Sequence, residues 1–379
     1  MSYPDCQRSL RDPSDSALRR PAHRSMLYIG SVVLSAALAA IPGGRATASG
    51  SDPWETITAG GETRCSDGSP YRFHVRSADP ERLLIFFNGG GACWNSATCD
   101  PQGKPTYRVT SGAGSGNDPR EYDGAFALDN PENPFRDWSQ VFVSYCTGDV
   151  HLGHHSAIYD RKSDPAFTVH HDGRVNADAV IDYVVETLPT PGKILVAGGS
   201  AGAIASPVYA AVIADRYPNA QVLQLGGGGA GYRTPPPVDL WNQWGTVPAL
   251  PAVLDTREVR ADTLQLLDLY RLAAEAAPAL RFHTYDNAFD GVQEQFMMLL
   301  GSPGPLLPGL DANLGDLRKT IPALRSYVAP GKFHTLLRFD ELYTRESGGV
   351  RAVDWVQQLL SGEDVANVHC DPATCDGAP

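Results

Sequence analysis

Short apolar runs, punctuated by glycine and proline, recur along this chain, and each predicts a strand or a helix. Tyr71–Arg76 alternates apolar and polar positions and predicts a half-buried strand. Arg82-Leu-Leu-Ile-Phe-Phe-Asn88 is continuously apolar and predicts a buried strand that runs into Gly89-Gly-Gly-Ala-Cys-Trp94. Gln140–Tyr145, Lys193–Val196, Gln221–Leu225, Arg281–Tyr285 and Ser326–Ala329 predict further strands. Between them, Val175–Leu188, Ala203–Ile213, Asp262–Ala277, Gly291–Leu300, Leu310–Leu324 and Val350–Leu360 carry helical periodicity. Pro101–Asn133 is rich in Gly, Asp and Pro and predicts a long surface loop, and Pro235–Pro251 predicts lid or cap material. Strands alternating with helices predict an α/β fold with a mostly parallel sheet and helices on both faces. No internal repeat and no linker divides residues 49–379, which are expected to form a single domain.

The first 48 residues read differently. Arg19, Arg20 and Arg24 form a basic region, Met26–Ile41 is apolar, and Ala46-Thr-Ala48 fits a small-residue cleavage site. Sixteen apolar or small residues are short for a membrane span of about 20, so residues 1–48 are expected to be a cleaved signal peptide. Met26 is a second candidate start, and Arg19-Arg20 is a poor twin-arginine match. The leader carries six Arg against three Asp, which leaves 25 basic against 40 acidic residues and a charge of −15 in the rest of the 379-residue chain. That balance disfavours a nucleic-acid partner and gives no support to an anionic membrane surface. Cys6 lies in the leader; Cys65, Cys93, Cys99, Cys146, Cys370 and Cys375 remain, an even number that suits disulfides in an exported chain. Cys93–Cys99 and Cys370–Cys375 can close small loops, which leaves Cys65–Cys146.

The candidate chemistry centres on Val196-Ala-Gly-Gly-Ser-Ala-Gly-Ala203, between a predicted strand and a predicted helix. Gly198-x-Ser200-x-Gly202 therefore falls at a strand-to-helix turn. Such a turn holds the serine strained with its hydroxyl exposed, the glycines let strand and helix approach, and the helix aims N–H groups at an oxyanion. Away from a strand and a helix the same letters would be a plain glycine turn. A nucleophilic serine needs a base and a carboxylate to orient it, and on an α/β-hydrolase-like sheet they follow in the order acid, then histidine. His334 follows the last sheet strand and a Pro-Gly turn; alone it would be a surface-loop histidine. Asp286 and Asp290 both follow the preceding strand, and position does not choose between them. The N–H groups of Ala201, Gly90 and Gly91 are the candidate oxyanion hole.

These residues resemble the pectin acetylesterase/Notum family of secreted carboxylesterases, bacterial members in particular. Asn88-Gly-Gly-Gly-Ala-Cys-Trp94 is similar to the family's Gly-Gly-Gly-Trp-Cys loop, with Cys and Trp displaced. Asn133-Pro-Phe-Arg-Asp-Trp138 leading to Tyr145-Cys-Thr-Gly-Asp149 resembles its Asn-Pro…Trp…Tyr-Cys-x-Gly-Asp segment. Gly198-Gly-Ser-Ala-Gly202 matches the elbow, Asn287-Ala-Phe-Asp-Gly-Val-Gln293 resembles the plant stretch that bears the acid and favours Asp290, and His334 matches the base. Gly229-Ala-Gly-Tyr232 departs from the family's Asp-Ala-Gly-Phe, which leaves the pocket floor open. The resemblance implies removal of acetyl from pectin or of a fatty acyl group from a protein serine.

Together these residues predict a secreted or periplasmic serine carboxylesterase with Ser200 as nucleophile, His334 as base and Asp290 as the orienting acid. The expected substrate is an acylated polysaccharide or a small acyl ester, and Trp94 and Tyr145 are expected in its pocket. No cofactor or metal is called for: His151, His154, His155, His170 and His171 crowd one stretch but have no acidic or Cys partner at a recognised spacing, so hydrogen-bonding or substrate-loop histidines are expected there. Asp149 is expected to cap or orient a pocket loop. A monomer without stable membrane insertion is expected. Two other readings remain: a lipid or polymer esterase, or thioesterase, on the same residues, and a non-catalytic binding protein on a hydrolase scaffold.

Overall fold

The computed structural model describes residues 52–161, 164–188, 190–233, 238–371 and 374–375. The expected leader, and residues 235–237 of the expected lid, lie outside the described residues. The strands are β1 Glu55–Thr58, β2 Arg72–Arg76, β3 Asp79–Phe87, β4 Trp138–Val143, β5 His155–Tyr159, β6 Phe167–His171, β7 Lys193–Gly199, β8 Gln221–Gly227, β9 Arg281–Asn287, β10 Arg325–Ala329, β11 Glu346–Ser347, β12 Val350–Arg351 and β13 Val368–His369. Nine of them form one sheet in the order β1-β2-β4-β3-β7-β8-β9-β10-β13. Only the β1–β2 and β2–β4 pairs are antiparallel; every pair from β4 to β13 is parallel.

Successive strand residues point to opposite faces, and here both faces are covered. Leu84, Phe86, Leu195, Leu225, Tyr285 and Tyr327 pack with Trp355, Val356 and Leu359 of the closing helix Ala352–Ser361. Phe87, the next residue along β3, stacks on Tyr209 of the helix Ala201–Arg216, ring centroids 4.5 Å apart. Three disulfides, Cys65–Cys146, Cys93–Cys99 and Cys370–Cys375, join the six cysteines among the described residues.

Helix boundaries differ from the sequence pattern for local reasons. The helix expected from Leu310 begins at Leu306, and Pro308 sits in its first turn, where a missing N–H costs no bond. The helix expected from Asp262 begins at Leu266, where Asp268 and Gln265 form a capping box. The elbow helix carries Pro207, and the Ser206 hydroxyl donates to the Ala203 carbonyl that the proline leaves without its N–H. The antiparallel β5–β6 hairpin was not expected, because its three histidines, Ser156 and Thr168 dilute the apolar signal. The expected lid segment contains the helices Val238–Trp244 and Thr246–Ala249.

Parallel strands put all their carboxyl ends on one edge, where open α/β sheets hold ligands. Register keeps those ends level: Phe87 lies opposite Gly198, Gly198 opposite Gly226, Gly227 opposite Tyr285, and Asn287 opposite Ala329. The loops after β3, β7, β8, β9 and β10 therefore meet. Two glycines close this corner. A Cβ on Gly198 would lie 2.1 Å from the Gly202 carbonyl oxygen, and one on Gly202 would lie 1.9 Å from that of Phe87. Gly202→Ala is thus expected to cost roughly 3 kcal/mol or more, because backbone must move. A urea midpoint within experimental error of wild type would show that strand and helix are not so tightly apposed.

Candidate active site

Ser200 occupies the turn between β7 and its helix with φ 57° and ψ −119°, a conformation that costs a non-glycine residue about 1–3 kcal/mol. Its N–H donates to the Gly227 carbonyl at 2.8 Å, which ties the strained turn to the end of β8. The serine is nearly buried, and its hydroxyl makes no hydrogen bond among the described residues. The glycine loop after β3 closes over it. A Cβ on Gly89 would lie 2.8 Å from the Ser200 Cβ, and one on Gly91, at φ +80°, would lie 1.9 Å from the Thr106 carbonyl oxygen. Side chains are excluded there, and backbone faces the serine. The N–H groups of Gly90, Gly91 and Ala201 donate to no acceptor among the described residues.

His334 Nδ1 lies 2.6 Å from Asp290 Oδ2. Asp290 is fully buried and caps the helix Gly291–Leu299. Its Oδ1 accepts from the Val292 and Gln293 N–H groups at 2.9 and 3.1 Å, and its Oδ2 also accepts from Gln293 Nε2 at 3.1 Å. All of these donors meet acceptor oxygens at the positive end of the helix. A carboxylate only accepts, so the shared proton belongs on Nδ1 and the neutral imidazole keeps Nε2 as a bare acceptor. Nε2 is buried and has no hydrogen-bond partner. The ring lies against Gly228, where a Cβ would be 3.0 Å from two ring atoms. Gly228 adjoins the Gly227 carbonyl that holds Ser200, so serine and imidazole flank one strand end. No hydrogen bond joins them.

Asp286, the other candidate acid, serves a different loop. Its Oδ1 accepts from the Gly229 and Ala230 N–H groups, each at 3.1 Å, and from Gln293 Nε2 at 3.0 Å, and Oδ2 is unpartnered. Gln293 thus bridges both carboxylates, and its Oε1 accepts from the Gly231 N–H at 3.0 Å. Its role was not read from the sequence, although Asp290 and Gln293 have the spacing of a helix cap and its third residue.

Ser200 and Ala201 open onto a pocket lined by Trp94, Val150, Ile204, Leu240, Trp241, Trp244, Leu266, Phe296 and Leu300, among others. Its wall is almost wholly apolar, as the walls of small-molecule sites usually are. Trp94 is therefore in the pocket wall. Tyr145 is not: it is buried behind the glycine loop, with its ring 2.9 Å from where a Gly90 Cβ would stand and its hydroxyl accepting from the Val150 N–H at 2.8 Å. The clustered histidines are spread among separate partners. His151 Nε2 donates to the Asn88 carbonyl at 2.8 Å, His171 bonds the Thr147 carbonyl and the Tyr159 hydroxyl, and His170 bonds Ser156. The groupings Cys93/Cys99/His171 and His369/Cys370/Cys375 each pair a disulfide with one histidine, and a disulfide offers no thiolate to a metal.

Burial shapes the titration of this region. It pushes the Asp286 and Asp149 carboxyls up to about 7 and the His151, His171 and His283 imidazoles down to about 4. An acid raised in the fold stays protonated after the unfolded chain has ionised, so the two aspartates lose stability as pH rises from about 4 to about 7. A histidine depressed in the fold stays neutral after the unfolded chain has taken its proton, so the three histidines lose stability as pH falls from about 6.5 to about 4. The two sets oppose each other over almost one window. Asp286→Asn removes one opposing member, and its Tm is expected to fall more steeply than wild type between pH 6.5 and 4. Parallel Tm curves for the two proteins would contradict the raised Asp286.

The family model for pectinacetylesterase matches residues 56–234. The human palmitoleoyl-protein carboxylesterase NOTUM is 31% identical over 144 residues, which are 36% of this chain and 27% of that protein. The zebrafish (Danio rerio) inactive palmitoleoyl-protein carboxylesterase notum1b is 35% identical over 95 residues, 24% of this chain and 65% of that protein. The chain thus spans about a quarter of the length of the human relative. Among solved structures, the Wnt deacylase Notum from Drosophila superposes with a TM-score of 0.60 at 15% identity, over 84% of this chain and 96% of that one, which shows a shared fold. Over residues 56–234, which hold the glycine loop, the Tyr145–Asp149 turn and the serine elbow, this chain matches the pectin acetylesterase/Notum family.

Proposed function

We propose that the protein is a carboxylic ester hydrolase that works through an acyl-enzyme on Ser200. The observation that supports this best is the Asp290–His334 contact of 2.6 Å, which leaves a buried, bare Nε2 beside a strained serine. As an ester carbonyl settles at the glycine loop, Nε2 takes the Ser200 proton and Oγ adds to the carbonyl carbon. The oxyanion is met by the N–H groups of Gly90, Gly91 and Ala201, each worth about 3–4 kcal/mol in such a site. Collapse expels the alcohol, which takes the proton back from Nε2. Water, deprotonated by the same nitrogen, then releases the acid. The residues of the chain suffice for every step, and no cofactor enters.

The acyl side carries the specificity in this reading. An apolar cavity opening at Ser200 suits an acyl group longer than acetyl, attached to a polysaccharide or a similar alcohol. Three disulfides fit work outside the cytosol. No helix among the described residues is long and apolar enough to cross a membrane. The test is a p-nitrophenyl ester series from acetate to dodecanoate. kcat/KM is expected to rise by up to about fourfold per methylene buried, equivalent to about 0.8 kcal/mol, until the cavity is full. A series that peaks at acetate would overturn the acyl assignment and leave the esterase standing; no hydrolysis of any member would overturn both.

A further inference from the structure

Asn88, the residue that leads into the glycine loop, is buried with every polar atom engaged. Its N–H donates to the Val143 carbonyl at 2.9 Å, and its Nδ2 donates to the Gly116 carbonyl at 2.8 Å and to Asn117 Oδ1 at 2.9 Å. Its Oδ1 accepts from Arg338 Nη1 at 3.0 Å, and its main-chain carbonyl accepts from His151 Nε2 at 2.8 Å. The His151 bond differs from the rest because it acts on the peptide plane that links Asn88 to Gly89. That unit is flat, so fixing the carbonyl oxygen also fixes where the Gly89 N–H points and how the chain enters Gly90 and Gly91.

His151 is itself held at a cost. Val150 and His151 stand at φ 49° and 63°, two successive side-chain-bearing residues in the left-handed region. Such strain persists only where the surroundings impose it, and it concentrates at functional sites. Here Asp149 imposes it. Its Oδ1 accepts from the Thr147 hydroxyl at 2.6 Å and the His151 N–H at 3.2 Å, and its Oδ2 accepts from the Gly173 N–H at 2.7 Å. The Tyr209 hydroxyl donates to the His151 carbonyl. The imidazole is clamped between Phe87, edge-on at 5.3 Å, and Tyr145 at 4.6 Å. Burial pushes its pKa down to about 4, so it is neutral under ordinary conditions, and the carbonyl partner requires the proton on Nε2.

We propose that His151 is a positioning residue for ester hydrolysis: held by the strained turn at Asp149, it fixes the Asn88 carbonyl and so sets the aim of the oxyanion amides at Gly90 and Gly91. The role rests on the esterase reading above. It predicts a defect that appears when negative charge develops on the carbonyl oxygen and is absent when the ester merely binds.

His151→Phe keeps an aromatic ring between Phe87 and Tyr145 and deletes the donor. It is expected to lower kcat by 10- to 100-fold with KM within about twofold. The inhibition constant of a trifluoromethyl ketone, which forms a tetrahedral oxyanion on serine, is expected to rise by the same factor. Should that variant fail to fold, His151→Gln and His151→Asn carry the test. The longer amide reaches the Asn88 carbonyl and the shorter does not, so kcat for the Gln variant is expected to exceed that for the Asn variant at least tenfold. Unchanged kcat in the Phe variant, a loss without weaker ketone inhibition, or equal kcat in the two amides overturns the role while the wild type remains an active esterase. A wild type inactive on every ester overturns the esterase reading and this role together.

Discussion

Ser200→Ala is expected to lower kcat on p-nitrophenyl acetate by roughly 10^4- to 10^6-fold, the range seen when a nucleophile is removed from an acyl-enzyme mechanism. Stability should barely change. The hydroxyl makes no hydrogen bond among the described residues, and alanine inherits the same backbone strain because it also carries a Cβ. Ser200→Gly separates the two properties. Glycine adopts φ 57°, ψ −119° readily, so it relieves about 1–3 kcal/mol of strain and gives back about 0.5–1 kcal/mol in unfolded-chain entropy. The glycine variant should therefore be as inactive as the alanine variant and more stable than wild type in urea. Wild type should react covalently at Ser200 with a fluorophosphonate and both variants should not, which also tells a hydrolase from a binding protein that kept the scaffold. Full activity in Ser200→Ala would remove the nucleophile from the mechanism.

How much of this was legible in the chain depended on whether the deciding force was local. The parallel strands were legible because burial on both faces makes them continuous apolar runs, as in Leu83–Phe87 and Ile194–Val196. The elbow was legible because only glycine tolerates the approaches at 198 and 202. The pocket was legible only in part. Trp94 and the expected lid segment, through Leu240, Trp241 and Trp244, do line it, but Leu266, Phe296 and Leu300 read equally well as core; only tertiary placement decides which apolar face borders a void. Tyr145 shows the converse. Its place beside a motif suggested the pocket, yet its ring supports the glycine loop from behind. The strut at His151 was hidden because two left-handed residues in succession have no sequence signature outside glycine and asparagine.

The choice between the two carboxylates yields the second large effect. In Asp290→Asn, the amide oxygen belongs at the Oδ1 position, where the Val292 and Gln293 N–H groups already donate. The amide nitrogen then occupies the Oδ2 position and donates toward His334 Nδ1, 2.6 Å away in the wild type. Nδ1 must become the acceptor, the imidazole proton moves to Nε2, and the nitrogen that should take the serine proton is blocked. A wrong tautomer of this kind lowers kcat about 10^4-fold while the geometry is preserved. Asp286→Asn has no such consequence. Burial pushes that carboxyl up to about 7, so at neutral pH it carries only part of a charge, and it accepts hydrogen bonds from Gly229, Ala230 and Gln293 and makes none with the imidazole. Its kcat at pH 7 should stay within about threefold of wild type, a change below about 0.7 kcal/mol in the barrier, with the substitution read in the pH dependence of Tm. Measured side by side, a large kcat loss in the Asp290 variant and a small one in the Asp286 variant assigns the orienting acid, and the reverse pattern would transfer that role to Asp286 and require His334 to turn away from the helix that Asp290 caps.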